Sequence, residues 1–322
     1  MAAIDFMALL KEEKEKQKKK QTTSAEAEEA EEEASQDPKS EELVFKELQL
    51  STWPRIDLSS YTIGPIAGIS YIPALVSKEE SRSIVDLVLS VPTANPRWVH
   101  LRGRALQCWG GQATELTTDT SNSRFIPESL PQYLEEICKR LVESSIFPSD
   151  AAPNHVLINR YVRGEGIMAH TDGPAYTPRT ATLSLSLERD GEVEDESEHG
   201  AVLTFQRRVR SEEVGTAQQC PPECEVVLRP RSLVVFSDDA YIEYMHAISD
   251  ITRDIGDEGD ATASVDAGSS SHEKMGSAAT MGIFDVAGSH AVVVNTDAAA
   301  VASGDHVNRP SVRVSLTFRH VP

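Results

Sequence analysis

From residue 150 onward, short runs rich in apolar residues are separated by polar stretches. Each run is rich in Val, Leu, Thr and aromatic residues and is bounded by Gly, Pro or Asp, a pattern typical of strands. The runs are HVLINRYV, GIMAHTD, TATLSLSL, AVLTFQRR, CEVVLRP, SLVVFSDD and SVRVSLTFRHV. We therefore predict at least seven strands in the second half of the chain.

One strand, at the start of GISYIPALVSKEESRSIVDLVLSV, and two helices are predicted before these seven strands. Ser77 with Glu80 three residues later has the form of a capping box, and it predicts a helix of about a dozen residues. The segment SLPQYLEEICKRLVESS predicts a second helix. Helices followed by many strands predict a mainly β, α+β fold: a jelly roll, or double-stranded β-helix, with N-terminal helices on one side.

The formal net charge of −20 is unevenly distributed along the chain. Residues 1–52 hold 8 basic and 14 acidic residues, 188–225 hold 4 and 11, and 249–306 hold 2 and 10. The remainder holds 17 basic and 16 acidic residues, so a polyanionic partner is not excluded. We predict that 1–52 is a low-complexity, disordered tail that can begin with a short helix. The other two segments are predicted to be long acidic inserts, at about 188–225 and 249–306, in a domain spanning 53–322.

Sequence composition also indicates the cellular compartment of the protein. No apolar run approaches the ~18 residues that span a bilayer, and the N-terminus lacks the order of a secretory signal. Four cysteines in 322 residues do not make a disulfide framework, which favours a reducing compartment. A lysine cluster within the first twenty residues can be a nuclear-import signal or simply a solvated helix end. We expect a monomer in the nucleus and cytoplasm, with no membrane association.

The candidate chemistry lies in the stretch INRYVRGEGIMAHTDGP. His170 and Asp172 are two apart on a predicted strand, so both side chains can point into the barrel. His246 follows another predicted strand and can supply a third ligand. Two histidines and one carboxylate form the facial triad of non-haem Fe(II) oxygenases. Taken singly, each residue can also be an ordinary surface, turn or helix-end residue, and His155 competes for the role but has no carboxylate two residues later.

The last predicted strand carries two arginines on its polar face. Arg313 and Arg319 are six residues apart, which is ~20 Å along a strand. If both side chains reach inward, they can hold a short dicarboxylate between them, because guanidinium suits bidentate carboxylate recognition. The alternative is an exposed strand with charged residues on its solvent face.

In this order, Asn159-x-Tyr161, His170-x-Asp172, His246 and Arg313-x5-Arg319 resemble the AlkB family of Fe(II)/2-oxoglutarate dioxygenases. The resemblance covers residues 65–187, 200–206, 226–248 and 307–322, so the tail and most of both inserts lie outside it. It implies an enzyme that uses Fe(II), 2-oxoglutarate and O2. The insert after His246 departs from the family, in which only a short loop separates the last ligand histidine from the first arginine.

The resemblance also implies a role for each motif residue. Fe(II) would be held by His170, Asp172 and His246. Arg313 would bind the distal carboxylate of 2-oxoglutarate, with Asn159 and Tyr161 beside the cosubstrate. Arg319 would hold the carboxylate nearer the metal or brace Asp172.

The implied reaction is oxidative dealkylation of N-methylated nucleobases in DNA or RNA. In AlkB-like enzymes the segment before the barrel forms a lid over the substrate. Here that segment contains Trp98, Arg102, Arg104 and Trp109, and aromatic residues among arginines suit base stacking and phosphate contact. Alternatively, both tryptophans anchor the core. Two other functions stay open: a non-catalytic or weakly catalytic reader of modified RNA, and a hydroxylase of a protein or small molecule.

Overall fold

The fold is built on two facing β-sheets, one of seven strands and one of five. A computed structural model describes residues 43–113, 125–187, 199–208, 223–248 and 310–322, and the short strands at 253–254, 292–294 and 307–308. The helices are α1 (Lys78–Leu89), α2 (Gln132–Glu143) and α3 (Asp238–Ile242), with 3-10 turns at Leu58–Tyr61 and Ser149–Ala151.

The strands are β1 (Ile69–Ile72), β2 (Val99–Leu101), β3 (Arg104–Trp109), β4 (Gly111–Ala113), β5 (Phe125–Pro127), β6 (His155–Val162), β7 (Ile167–His170), β8 (Arg179–Ser186), β9 (Ala201–Arg207), β10 (Cys224–Leu228), β11 (Leu233–Ser237), β12 (Tyr244–Ile248), β13 (Arg253–Asp254), β14 (Val292–Val294), β15 (Val307–Asn308) and β16 (Val312–Arg319). The major sheet has the order β1-β11-β8-β16-β6-β3-β2, and the minor sheet has the order β14-β10-β9-β12-β7. β4 pairs with β5 and β13 pairs with β15, in two separate ribbons.

Strand β16 shows why the sheets face each other as they do. Its apolar side chains, Val312, Val314, Leu316 and Phe318, belong to the core shared with α1 and α2. Its polar face lies on the opposite side, because side chains alternate along a strand, and Arg319 there contacts Asp172, which follows β7. Both faces of β16 are therefore buried, and the reading of this strand as solvent-exposed is wrong.

Helix α1 is held at its start by the predicted capping box. The Ser77 hydroxyl accepts from the Glu80 amide at 3.1 Å, and the Glu80 carboxylate accepts from the Ser77 amide at 2.7 Å. The same carboxylate accepts from the amide and hydroxyl of Ser51, at 2.7 and 2.8 Å. Leu48 is buried in the same core cluster. Leu48 and Ser51, which lie in the segment that we assigned to the tail, therefore pack against the domain.

Most of the predicted elements are confirmed. Both helices and all seven predicted strands are present, and the mainly β jelly roll with flanking helices is the observed fold class. The strand predicted before Ser77 is present as β1. Sequence analysis missed β2 and β3, and also β12, which carries His246. In the part of the chain that the structure describes, no helix has the length and apolar character needed to cross a membrane.

The second acidic insert begins and ends in paired strands. Arg253 faces Asn308 and Asp254 faces Val307 in the antiparallel ribbon of β13 and β15. Between them, β14 pairs in parallel with β10 at the edge of the minor sheet. The remaining residues of this insert, most of the insert at 188–225, and the tail before residue 43 lie outside the described residues.

Candidate active site

The three predicted metal ligands meet between the two sheets. His170 ends β7 and His246 lies in β12, and the two are Cα partners in the antiparallel ladder. Their ring centroids are 4.3 Å apart, and His246 Nε2 lies 3.9 Å from Asp172 Oδ1. One ligand atom from each residue can be chosen so that all lie within 4.8 Å of one another, and all three side chains are buried.

Hydrogen bonds fix the orientation of two of these side chains. His170 Nδ1 donates to the Met168 carbonyl at 2.9 Å, so its Nε2 is the nitrogen left with a lone pair. Asp172 is held at both oxygens: Oδ2 accepts from Thr180 Oγ1 at 2.7 Å, and Oδ1 accepts from Arg319 Nη2. Such partners set the tautomer of a ligating histidine and the direction of a ligating carboxylate.

The electrostatics give each group the protonation state that a metal ligand needs. Burial, followed by the nearby His246, lowers the pKa of His170 to about 3. Burial also lowers the pKa of His246. For Asp172 burial alone would raise the pKa, but Arg319 and the two histidines lower it to about 2. At neutral pH the site therefore presents two neutral imidazoles and one carboxylate, a donor set that fits Fe(II) with coordination positions left open.

The predicted cosubstrate residues line the inner face of the major sheet beside these ligands. Arg313 faces Tyr161 across the ladder of β6 and β16. Its guanidinium carbon lies 5.3 Å from the centre of the Tyr161 ring, and Nη2 donates to Ser184 Oγ at 2.9 Å. Asn159 is buried and accepts from Arg104 Nε at 3.0 Å. A buried guanidinium held by a hydroxyl and an aromatic face suits a carboxylate ligand.

Arg319 provides a second point of fit for 2-oxoglutarate. Its side chain is buried and donates from Nη2 to Asp172, as one of the two predicted roles requires. Among the described residues, its Nε has no hydrogen-bond partner. A buried donor without a partner costs free energy, and a ligand carboxylate would satisfy it.

The predicted substrate lid is largely wrong. Trp98 and Trp109 are 4% and 5% exposed and belong to the core that contains both helices. Trp98 Nε1 donates to the Val91 carbonyl at 3.0 Å, and Trp109 Nε1 donates to Gln107 Oε1 at 2.9 Å. Their N–H groups are thus satisfied inside the protein, so neither ring is available to stack on a base.

The arginines of the lid segment divide into two kinds. Arg104 is buried and bonded to Asn159, so it belongs with the cosubstrate residues rather than with a lid. Arg102 is exposed in the turn between β2 and β3, as the prediction requires. Gly110, just after Trp109, has a φ of +91°, and a Cβ at this position would lie 2.0 Å from the Asn154 carbonyl oxygen, so close packing of the backbone requires glycine here.

His155, the competing ligand, lies outside the triad. Its Nε2 is 3.2 Å from the thiol of Cys108, and its ring centroid is 5.2 Å from that of Tyr176. Burial, with the charge of Arg319 adding to the effect, lowers its pKa to about 3. The histidine is therefore neutral and packed behind the metal ligands.

Sequence analysis missed the polar residues of β8. Thr180 holds Asp172, and Ser184 holds Arg313. The pattern that could have revealed them is the alternation of Thr180, Thr182, Ser184 and Ser186 with apolar residues, which mirrors the polar face of β16. The two strands are paired, with Ser184 opposite Ser315 and Thr182 opposite Thr317.

The chain is similar to several known proteins. Residues 68–319 match the model of the 2OG-Fe(II) oxygenase superfamily. "Probable RNA/DNA demethylase ALKBH6" of Danio rerio is 29% identical over 270 residues, which are 83% of this chain and 92% of that protein. "Uncharacterized protein L905" of Acanthamoeba polyphaga mimivirus is 25% identical over 123 residues, 38% of this chain and 48% of that protein. The solved structure of OsALKBH1 aligns with a TM-score of 0.42 and 14% identity, over 80% of this chain and 100% of that chain.

Proposed function

The chain belongs to the 2OG-Fe(II) oxygenase superfamily, as an AlkB-type Fe(II)- and 2-oxoglutarate-dependent dioxygenase, and we propose that it removes N-methyl groups from nucleobases in DNA or RNA by oxidation. One observation carries the proposal: the buried group of His170, Asp172 and His246 faces a strand with two buried arginines. The Danio rerio relative is named as a probable RNA/DNA demethylase, which supports a nucleic-acid substrate.

Each residue of the site would have a defined task. His170, through Nε2, and His246 would bind Fe(II) as neutral imidazoles, and Asp172 would supply the anionic ligand. When bound, iron with 2-oxoglutarate and O2 supplies the oxidation: 2-oxoglutarate becomes succinate and CO2, and the methyl group is hydroxylated and leaves as formaldehyde. Because the metal ligands are buried, the protein would limit access of bulk water to them.

The cosubstrate would be held by the inner face of the major sheet. Arg313, supported by Ser184 and Tyr161, would bind the distal carboxylate of 2-oxoglutarate. Asn159 would lie beside it, with its side-chain oxygen already fixed by Arg104. Arg319 would keep Asp172 in place from Nη2 and offer Nε to the other carboxylate.

Two touching turns provide a candidate surface for the phosphates. Arg102 is exposed in the turn between β2 and β3, and Arg163 is exposed in the turn between β6 and β7. A Cβ on Gly103 would lie 3.5 Å from the Gly166 carbonyl oxygen, so the two turns pack together. The second turn leads directly into the strand that ends at His170. Exposed guanidinium groups beside the site suit phosphate contact.

The test is turnover against a panel of oligonucleotides, single- and double-stranded, DNA and RNA, each carrying one ring-nitrogen or exocyclic N-methyl group. Succinate and formaldehyde should form in equal amounts with at least one member, and mass spectrometry should show the methyl group lost. The unmethylated strand is the first control. Asp172→Ala is the second: it should abolish iron-dependent succinate formation and weaken iron binding tenfold or more, because the anionic ligand is lost.

Three outcomes would contradict parts of the proposal. Uncoupled succinate formation that no methylated strand stimulates would mean that the substrate is not a methylated nucleobase. Tight binding of a methylated strand with no turnover would indicate a reader. Full turnover by Asp172→Ala would remove that residue from the metal site.

We further propose that the protein acts as a monomer in the nucleus and cytoplasm. The lysine cluster within residues 14–20 supports the first location, and it lies outside the described residues. A fluorescent fusion with these lysines replaced by glutamine should lose nuclear signal. Light scattering of the purified full chain should give the mass of one chain, and a concentration-independent dimer would contradict the monomer.

A further inference from the structure

We propose that Tyr176 is a positioning residue of the metal site: its ring holds the guanidinium of Arg319 in the place from which that group fixes Asp172. Tyr176 lies in the loop between β7 and β8, four residues after Asp172. The Arg319 guanidinium carbon lies 4.9 Å from the centre of its ring. The inference rests on the proposed function, because it takes Asp172 as a metal ligand.

Arg319 needs a second support in addition to its hydrogen bond. Nη2 donates to Asp172, and Nε has no hydrogen-bond partner among the described residues. Burial raises the pKa of Tyr176, and a side-chain hydrogen bond from Arg319 opposes this rise, so the Tyr176 hydroxyl, as well as its ring, interacts with this guanidinium. A ring face below the cation restricts its rotation, and the attraction between cation and ring is strongest where both are removed from water. Tyr176 is 8% exposed and Arg319 is 3% exposed.

The ring of Tyr176 is itself held in place. The ring of His155 lies 5.2 Å from it, centroid to centroid. His155 is the Cα partner of Arg319 in the ladder of β6 and β16, and its Nε2 contacts the Cys108 thiol on β3. Next to Tyr176, the Thr177 amide donates to the His320 carbonyl at 2.9 Å, which ties the loop to the end of β16. The ring is thus fixed by the major sheet while it supports a residue that reaches toward the minor sheet.

This arrangement predicts a specific defect when the ring is removed. Without the ring face, Arg319 can leave Asp172, and the carboxylate is then held by Thr180 alone among the contacts described above. Loss of a partner that orients a metal ligand typically weakens metal binding by about 10- to 100-fold. The same loss should raise the KM for 2-oxoglutarate if Arg319 also holds that cosubstrate. A residue that only fills the core would change neither quantity.

The experiment compares three substitutions in the full chain, with Mn(II) as a redox-inert probe of the metal site. Tyr176→Met keeps most of the volume but removes the ring face. Tyr176→Phe keeps the ring. Tyr133→Met is the matched control, because Tyr133 is a buried tyrosine in the cluster around α2. Calorimetric titration of metal-free protein gives the Kd for Mn(II), and thermal unfolding gives the stability of each variant.

We expect the Kd for Mn(II) to rise by about 10- to 100-fold in Tyr176→Met. It should rise less in Tyr176→Phe, which keeps the ring face but loses the hydroxyl that interacts with Arg319. Tyr133→Met should lower the melting temperature without changing the Kd. When Arg319→Lys is already present, adding Tyr176→Met should weaken Mn(II) binding much less than Tyr176→Met does alone. The reason is that Tyr176 affects the metal site through Arg319, so the two losses are not additive. If Tyr176→Met does not fold, pentafluorophenylalanine at position 176 keeps the ring shape and reverses its electrostatic face, and it should weaken Mn(II) binding.

Several results would overturn the inference. Unchanged Mn(II) affinity in Tyr176→Met would do so, as would equal weakening in a folded Tyr133→Met. Additive losses with Arg319→Lys would mean that Tyr176 does not act through that residue. Asp172→Ala separates this inference from the proposed function: full Mn(II) binding in that variant would refute the ligand assignment itself.

Discussion

His170 and His246 lie opposite each other in the ladder of β7 and β12, with their ring centroids 4.3 Å apart. Both imidazoles are buried, and burial disfavours the charged form of each ring. A positive charge on one ring would also repel a positive charge on the other, so the pair is stable only while both rings are uncharged. The next pair in the ladder joins Ile248 to Ile167, so the register shifts by one residue beside the site. Irregular pairing of this kind is common next to active sites.

Arg313→Lys should raise the KM for 2-oxoglutarate and leave iron affinity nearly unchanged. Lysine keeps the charge but loses the planar fork that Ser184 and Tyr161 hold in place. The expected loss of cosubstrate binding is ~1.5–3 kcal/mol, the range for hydrogen bonds to charged groups. Steady-state succinate formation at varied 2-oxoglutarate measures it, with the exposed Arg55→Lys as control. An unchanged KM would remove Arg313 from the cosubstrate site.

Much of this site could be predicted from the sequence because the direction of side chains along a strand repeats every two residues. The spacings of His170 and Asp172, of Asn159 and Tyr161, and of the two arginines each place the members of a pair on one face of a strand. The structure brings all of them to one place. The polar face of β8 obeys the same rule, and it was missed because hydroxyl residues alone do not indicate a ligand.

The wrong predictions for strand β3 and for the substrate lid also have a physical cause. The run RALQCW shows no alternation because β3 is buried on both faces, and a strand without alternation is not recognised by period. Without β3, the directions of Arg104 and Trp109 could not be assigned. Ala105 pairs with Arg160 and Leu106 with Asn159, so successive side chains go to opposite faces. Arg104 thus points toward Asn159, while Trp109 joins the core with the helices.

Stability of the metal-free protein should fall as the pH is lowered from about 6.5 toward 3. Burial lowers the pKa of His155 and of His170 to about 3 and also lowers that of His246. In this window the unfolded chain binds protons that the native state does not, so the free energy of unfolding rises with pH. Asp172, with its pKa lowered to about 2, acts in the same direction at still lower pH.

Urea unfolding at several pH values, with chelator present, measures this dependence. His155→Gln removes one of the three groups, so it should reduce the slope within the window by up to about 1.4 kcal/mol per pH unit. A free energy of unfolding that does not change with pH would show that these histidines are not held neutral by the fold.

Trp109→Ala should destabilise the protein by about 3–5 kcal/mol, the usual cost of truncating a large buried aromatic residue. Its ring contacts Phe45 at 5.8 Å between centroids, and the Arg97 guanidinium carbon lies 4.2 Å above it. Chemical denaturation gives the loss, and Trp109→Phe should lose less. Oligonucleotide affinity of the folded protein should stay the same. Loss of binding at full stability would restore the original assignment of this tryptophan to a substrate lid.

Arg102→Ala should weaken oligonucleotide binding without destabilising the fold, because the side chain is exposed in a turn. If it contacts one phosphate of a single strand, the slope of log K against log salt should become less steep by about 0.7. Fluorescence anisotropy over a range of salt concentrations measures this slope. The exposed Arg82→Ala, on α1, is the control. Equal slopes in both variants would mean that the turn between β2 and β3 does not contact the strand.

The last prediction concerns the second acidic insert, whose two ends are joined by the ribbon of β13 and β15. Since paired strand ends are close together, a short linker can replace residues 256–305 without moving either end. These residues contain eight acidic side chains and one lysine. We expect the shortened chain to fold and to retain 2-oxoglutarate turnover, because the metal ligands and both arginines lie outside the replaced segment.

Oligonucleotide affinity of this variant should hold or rise, since the carboxylates that repel phosphate would be gone. The gain should shrink as salt is added, because exposed charges are screened. The replacement also removes β14 from the edge of β10, so stability is measured alongside binding. As a control, a variant that keeps the full length and carries the eight carboxylates as amides should show the same gain in affinity. If the shortened chain fails to fold while the amide variant folds, β14 is an integral strand of the barrel, and the prediction that the insert is peripheral is wrong.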